Sequence, residues 1–288
     1  MTLALKDRIH GHWPLGLETG AISHFYWALS TDVLARLDPA RPLLDAIVSA
    51  SPYLRGLLTH VPEFAAHCLE TAPEDVLPDI LAETSKSAFL GNIHETAKVL
   101  RQCKAKVALL LALVDIGRVW TLQQVTQALT DFADAAVSAA VNAQLLDLHA
   151  SGKLVLADPA RPSHNCGYSV LAMGKHGAGE LNYSSDIDLI VLFDPETMPV
   201  ADGQEPSTLA IRITRKLVSL LQDTDENGYV FRTDLRLRPD PRATQVAIAV
   251  EAAANYYENL GQNWERAAYI KARAAAGDIG SCLNRWLR

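Results

Sequence analysis

The chain has no closely spaced pair of cysteines. Its four, Cys68, Cys103, Cys166 and Cys282, are scattered through 288 residues without a Cys-x-x-Cys. That excludes a disulfide scaffold and a zinc site of ordinary spacing, and it leaves reduced thiols, as a cytoplasmic protein would carry. A long apolar run is missing too. The longest, Val107 to Val114, is bracketed by Lys106 and Asp115 and is too short to cross a bilayer. The opening Met1-Thr-Leu-Ala-Leu-Lys-Asp-Arg lacks the apolar core of a secretory signal. Positive charge is not in excess: 26 Lys and Arg stand against 33 Asp and Glu, for a net charge of -7, which argues against non-specific nucleic-acid binding. The nine histidines form no metal-ligand spacing, and there is no internal repeat or low-complexity segment. The expectation is a cytoplasmic protein with neither a membrane nor a nucleic-acid partner.

What is present is an apolar-rich globular chain, 49% hydrophobic, long enough for one or two domains with a sizeable core. Residues 1–20 contain Pro14 and several glycines and read as a loosely held lead-in. From Ile22 to about Ala150 the pattern is helical: Phe25, Leu29, Val33 and Leu37 recur at near four-residue steps. Pro52, Pro62, Pro73 and Pro78 punctuate short helices. A long helix is expected over 95–119, with Lys98, Arg101, Lys104 and Lys106 early and Leu109 to Val114 buried. Thr121-Leu-Gln-Gln124 is a capping box for the next helix, running towards Ala150.

Gly152 and Asp158-Pro-Ala-Arg-Pro162 mark a boundary. The fold class expected is α+β: an all-helical region over residues 1–155, then an α/β domain with a mixed sheet over 156–288. Tyr168 to Met173 reads as its first strand. Residues 207–223 read as a helix with Leu209, Ile213, Leu217 and Leu220 inward, and residues 251–275 as another, with Arg266 and Arg273 on one face.

The most informative stretch is Gly174-Lys-His-Gly-Ala-Gly-Glu-Leu-Asn-Tyr-Ser-Ser-Asp186-Ile-Asp188-Leu. It joins a glycine-rich turn to two aspartates at the mouth of the apolar run Leu189 to Phe193, a buried strand. Side chains two apart on a strand share a face, so Asp186 and Asp188 converge while Ile187 and Leu189 turn to the core. Carboxylates held that close repel unless a cation lies between them, and oxygen-only ligands suit Mg²⁺. A Mg²⁺ site beside a glycine turn is equipment for phosphoryl or nucleotidyl transfer. An isolated Asp-x-Asp is more commonly just solvated. The glycine turn before it and the strand behind it favour the metal.

Downstream, Asn227-Gly228 signals a hairpin turn. The alternation after it puts Arg232, Asp234, Arg236 and Arg238 on one strand face and Tyr229, Phe231, Thr233, Leu235 and Leu237 on the other, with Pro239 ending the strand. Alone this is a surface ion-pair ladder. Beside Asp186 and Asp188, Asp234 offers a third ligand and the arginines offer charge for phosphate. Two look-alikes fail. Gly174-x-x-Gly177-x-Gly179 has the wrong spacing for a dinucleotide fingerprint, and His176 stands where a P-loop needs Ser or Thr.

Asp-x-Asp, a later Asp and an upstream glycine turn resemble the nucleotidyltransferase superfamily that includes DNA polymerase beta. The fuller wording, with Asp234-Leu-Arg-Leu-Arg-Pro239 and Trp264-Glu-Arg-Ala-Ala-Tyr-Ile-Lys-Ala-Arg273, resembles the glutamine synthetase adenylyltransferase/adenylyl-removing family. That resemblance implies a polymerase-beta-like nucleotidyltransferase domain over 156–288, truncated at its C-terminus, since the family has two such halves, each followed by helices. One half removes AMP from a tyrosine of glutamine synthetase by Mg²⁺-dependent phosphorolysis, releasing ADP; the other attaches AMP from ATP. The opening methionine, the helical stretch before the motif, and Trp264-Glu-Arg with Lys271-Ala-Arg273 where second halves tend to carry Trp-Glu-His and Arg-Ala-Arg, favour the adenylyl-removing half. Forward transfer from ATP, or an inactive fragment docking glutamine synthetase or a PII-type protein, are the other readings.

The resemblance also implies roles. Asp186, Asp188 and Asp234 would hold two Mg²⁺ ions. Gly174, Lys175, Gly177 and Gly179, with Ser184 or Ser185, would meet phosphate oxygens, and Arg236 and Arg238 would neutralise developing charge. Glu265, Arg266, Lys271 and Arg273 would touch substrate. The chain departs from the family pattern at His176, where leucine is usual, and at Ala178, where glycine is. It departs again over Asp240-Pro-Arg-Ala-Thr244, where the family tends to Asp-Gly-Arg-Ser-Gly.

Overall fold

A computed structural model describes residues 2–278. The chain forms two compact units, one from residues up to 82 with 103–128, the other from 83–102 with residue 129 onward. The second unit therefore begins ahead of the 155/156 boundary expected from composition.

The first unit is helical. It holds α1 (Gly20–Trp27), α2 (Thr31–Leu37), α3 (Arg41–Ala50), α4 (Pro52–His60) and α5 (Pro62–Glu70), and it shares α6 (Pro73–Lys86), α7 (Ile93–Ile116) and α8 (Leu122–Ala150) with the second. Local chemistry sets the starts. Ser30 and Ser51 cap α2 and α4 by accepting from the Val33 and Leu54 amides, a contribution of about 1 kcal/mol each. Prolines open α4 and α5, where the missing N–H would have had no partner. The capping box before α8 is formed: the Thr121 amide donates to Gln124 Oε1 at 2.9 Å and the Gln124 amide to Thr121 Oγ1 at 3.3 Å. In α7, Leu109 to Leu111 are fully buried, as are Leu113 and Val114. Lys104 of the same helix has its ammonium pKa pushed down to about 8 by burial.

The lead-in is not loose. Leu5 is fully buried and its amide donates to the Thr71 carbonyl at 3.0 Å. The Trp13 indole donates to the Ile116 carbonyl at 2.8 Å, and the Gly16 amide to Ser49 Oγ at 2.8 Å. Single anchors at irregular spacing leave no periodic signal, so the pattern alone reads as slack.

The second unit carries a five-stranded mixed sheet. Its elements after α8 are β1 (Tyr168–Met173), α9 (Gly174–Gly177), β2 (Ile187–Phe193), α10 (Pro206–Gln222), β3 (Thr233–Asp234), β4 (Ile248–Ala249), α11 (Val250–Asn259), α12 (Asn263–Ala268) and β5 (Arg273–Gly277). The order is β3-β2-β1-β5, with β4 also on β2. β1 runs antiparallel to β2 and β5, whereas β3 and β4 lie parallel to β2. β1 is buried throughout, and β2 is buried except at Asp188. Leu171, Met173, Ile190 and Leu192 pack with Ile248, Val250 and Ala253, so α11 covers the sheet face that Asp188 shares. α10 buries Leu209, Ile213, Leu217 and Leu220, as its spacing predicted. Each such leucine contributes about 1.5–3 kcal/mol.

Two expected elements are corrected. The strand after Asn227-Gly228 does not run to Pro239. Asp225 and Gly228 close a tight turn, the Val230 and Phe231 amides donate to the Leu221 carbonyl, and only Thr233–Asp234 pair before the chain curls. Nor do residues 251–275 form one helix. The Leu260 and Gly261 amides both fold back onto the Tyr256 carbonyl, Gln262 and Glu265 build a fresh capping box, and Arg273-Ala-Ala-Ala-Gly277 is a strand on β1. The alanine run favours helix by propensity; pairing with β1 overrides it.

Cys68, Cys103 and Cys166 are buried thiols, and Cys282 lies outside the described residues. Among the described residues no helix is long and apolar enough to cross a membrane.

Candidate active site

β1 delivers the chain directly into the glycine turn. Gly174 has φ +55, and a Cβ there would stand 2.5 Å from Asp188 Oδ2. A Cβ on Gly177 would lie 2.1 Å from the Lys271 carbonyl and 2.6 Å from that of Ala172. Glycine is needed at both positions because the turn is wedged between β2 and the segment entering β5. The turn closes on itself: the amides of Ala178, Gly179 and Glu180 donate to the carbonyls of Gly174, His176 and Lys175 at 3.1, 3.3 and 2.8 Å. The Gly179 amide is thus spent inside the turn and does not project outward as expected. Lys175 is exposed.

The three aspartates come together at the N-terminal end of β2. Asp188 is the parallel-register partner of Asp234 on β3, and exposed Asp186 immediately precedes β2. Burial raises the Asp188 pKa, and the charges of Asp234 and then Asp186 raise it further. Asp234 moves the other way, lowered chiefly by hydrogen bonds from Arg236. Arg236 doubles back on it, NH2 to Oδ2 at 2.5 Å and backbone N–H to Oδ1 at 2.7 Å. Asp186 is drawn onto Arg232, whose NH2 also donates to the Ser184 carbonyl at 2.8 Å.

Among the described residues no three His, Cys, Asp or Glu side chains converge on one ion position, since Asp186 and Asp234 each lie against an arginine. The donor chemistry nonetheless fits a hard divalent cation. All three groups are carboxylates, and Asp188 carries a repulsion from its two neighbours that such an ion would relieve. Beside them opens a groove of about 660 Å³, lined by Asp186, Gln222, Thr224, Tyr229, Arg232 and Arg236 among others.

The other expected site residues separate. Arg238 donates to the carbonyls of Leu235 and Pro241, both at 2.8 Å, so it folds the 235–244 loop around itself. Ser185 Oγ donates to Asn182 Oδ1 at 2.8 Å. Glu265 is buried, accepting from the Gln262 amide at 2.7 Å and from the Tyr256 hydroxyl at 3.0 Å; it caps α12 and is closed to substrate. Arg266 is exposed, and Lys271 meets Glu180 at 3.1 Å across the end of the glycine turn. Arg273 is engaged bidentately by Asp134 at 2.6 and 3.0 Å. Arg232 was visible in sequence as a strand-face arginine but not as the partner of Asp186. Asp134 went unnoticed, although a histidine buried in the turn does call for a buried partner.

Comparison with known proteins bears on the same residues. The family model described as glutamate-ammonia ligase adenylyltransferase matches residues 42–282. The chain belongs to that family. One relative, the bifunctional glutamine synthetase adenylyltransferase/adenylyl-removing enzyme of Bradyrhizobium sp. (strain ORS 278), is 49% identical over 243 residues, covering 84% of this chain and 25% of its own length. The protein of the same description from Caulobacter vibrioides is 43% identical over 277 residues, 95% of this chain and 28% of its own. This member of the glutamate-ammonia ligase adenylyltransferase family therefore spans about a quarter of the length of the curated relatives it matches, and the matched region contains the glycine turn and all three aspartates.

Proposed function

We propose that the second unit carries a polymerase-beta-like nucleotidyltransferase centre that removes AMP from a tyrosine of glutamine synthetase by phosphorolysis. The observation that carries this reading is the register of Asp188 against Asp234, with Asp186 beside them and Gly174 against the Asp188 carboxylate. Family membership and the adenylyl-removing activity named in the relatives support the substrate. Lys271 in place of the arginine usual in second halves favours removal over attachment.

Asp186, Asp188 and Asp234 would hold Mg²⁺, which when bound screens phosphate charge and polarises the phosphoryl oxygens. The chain's own groups do the remainder. Arg232 and Arg236 line the groove as exposed cations and would exchange their aspartates for phosphate oxygens of the substrate. Lys175 adds positive charge from the exposed side of the turn. In the reaction an oxygen of inorganic phosphate bonds to the α-phosphorus, the bond from phosphorus to the tyrosine oxygen breaks, and that oxygen takes up a proton. The products are ADP and unmodified tyrosine.

The test is ADP release from adenylylated glutamine synthetase with Mg²⁺ and phosphate, compared with an Asp186→Asn/Asp188→Asn protein. Phosphate-dependent ADP that disappears in the double variant supports the reading. ADP formation that survives in the double variant, or none at all from the folded chain, overturns it.

A further inference from the structure

We infer that Asp134, His176 and Arg273 form a latch that fixes the glycine turn against Asp188, which makes Asp134 a positioning residue for the carboxylate cluster. The latch is a statement about the turn. Only its consequence for rate rests on the function proposed above.

Three elements far apart in sequence meet here: α8 supplies Asp134, α9 supplies His176 and β5 supplies Arg273. The His176 side chain is fully buried, with Nε2 2.8 Å from Asp134 Oδ1. Arg273 donates to both oxygens of that carboxylate and, at 3.1 Å, to the His176 backbone carbonyl. A carboxylate receiving a bidentate arginine acts as an acceptor, so His176 Nε2 carries the proton and donates. Nδ1, on the other side of the ring, is buried with no hydrogen-bond partner among the described residues. An aliphatic side chain at 176 would fill the same space without leaving a buried polar atom unmatched. The histidine is therefore placed for the one bond it makes, to Asp134.

That bond bears on the site because the turn has no slack. Gly177 is pressed against the Lys271 and Ala172 carbonyls, and Gly174 against Asp188 Oδ2. His176 lies between those glycines, and its side chain and backbone are both held through the same Asp134–Arg273 pair. A turn released from α8 and β5 would move as a unit and withdraw the wall on which the Asp188 carboxylate rests. Among the described residues Asp134 and Arg273 make no hydrogen bond or ion pair to Asp186, Asp188 or Asp234 and do not line the groove, so the route from them to the cluster runs through the turn.

Hydrogen–deuterium exchange of the peptide covering 174–185 tests this in the whole chain. Asp134→Ala and Asp134→Asn are compared with wild type, alongside thermal unfolding. Asp134→Asn keeps the shape and an acceptor for His176 but weakens the hold on Arg273, so it decides the matter if Asp134→Ala does not fold. The expected result is exchange about tenfold faster in this peptide for Asp134→Asn, with first-unit peptides unchanged, together with a fall in kcat at little-changed KM for ADP formation. Fast exchange in a chain whose wild type forms no ADP would still support the latch while removing the proposed reaction. Wild-type exchange of the 174–185 peptide in Asp134→Asn overturns the latch whether or not the chain is active.

Discussion

Asp188 on β2 stands in parallel register with Asp234 on β3, and the two answer their surroundings in opposite directions. Burial and like charge hold the Asp188 carboxyl above its ordinary pKa, while Arg236 holds that of Asp234 below it. Hydrogen bonds from Arg236 outweigh burial at Asp234, whereas burial and like charge outweigh the pull of His176 and Arg236 at Asp188.

That asymmetry gives a stability prediction with a definite sign. A carboxyl whose folded pKa is raised costs stability when ionised, and the cost fades as pH falls through the raised pKa. Asp188→Asn should therefore hold or raise the melting temperature at pH near 7.5 in EDTA, and this advantage should shrink on acidification. Mg²⁺ should raise the melting temperature of wild type but not of the variant. In turnover, Asp188→Asn or Asp234→Asn should lose about 2–4 kcal/mol of transition-state stabilisation, near a hundredfold or more in kcat. Calorimetric melts with and without Mg²⁺, set beside ADP formation, check both halves.

Gly174→Ala should act on the same carboxylate from the other side. The left-handed backbone costs an L-residue about 1–2 kcal/mol, and the new Cβ must push Asp188 Oδ2 aside. We expect a melting temperature lower by several degrees and activity reduced as severely as in Asp188→Asn. A Gly174→Ala protein with wild-type turnover would show that Asp188 tolerates displacement.

Arg101, in α7, is nearly buried and ties down the start of the turn leading to β3. NH2 donates to the Asp223 carbonyl at 2.7 Å and NH1 pairs with Asp225 at 3.2 Å. Arg101→Met should cost about 1–3 kcal/mol in urea unfolding. It should also open the segment between Asp223 and Gly228 to limited proteolysis while leaving α1 to α5 intact.

Lys104 provides a pH prediction in the first unit. Its folded pKa of about 8 lies below the ordinary 10.5, so between those values the unfolded chain binds more protons and stability rises with pH. The cost is fully present below pH 8 and is relieved as pH climbs towards 10.5. Lys104→Met should stabilise by up to about 3 kcal/mol at pH 7, with the gain vanishing towards alkaline pH. Urea titrations across that range measure the slope directly.

Legibility in the sequence followed the physics of each segment. β1, β2, α10 and the capping box before α8 rest on local periodicity or a four-residue signature, and they appear where the pattern put them. The strand expected through Arg238 failed because alternation does not reveal that a guanidinium will wrap its own loop's carbonyls. β5 was hidden because three alanines favour helix until a neighbouring strand supplies partners. The three aspartates and the close-packed Gly174 and Gly177 could be picked out in the sequence as a glycine turn, an Asp-x-Asp and a later Asp. The arginines could be named but not assigned, since Arg232, Arg236, Arg238 and Arg273 differ in what they meet and not in kind. Asp134 lies some forty residues ahead of the turn it holds, and no spacing rule connects them.

The edge strand β5 also sets a timetable. A ribosome making this chain releases Asp186, Asp188 and Asp234 well before Arg273, and residues 273–277 are poor strand formers until β1 receives them. A nascent chain that stalls in between would display the whole acidic cluster with the Lys271 carbonyl that backs Gly177 still missing. Gly177 would gain that backing only as residues 273–277 pair with β1.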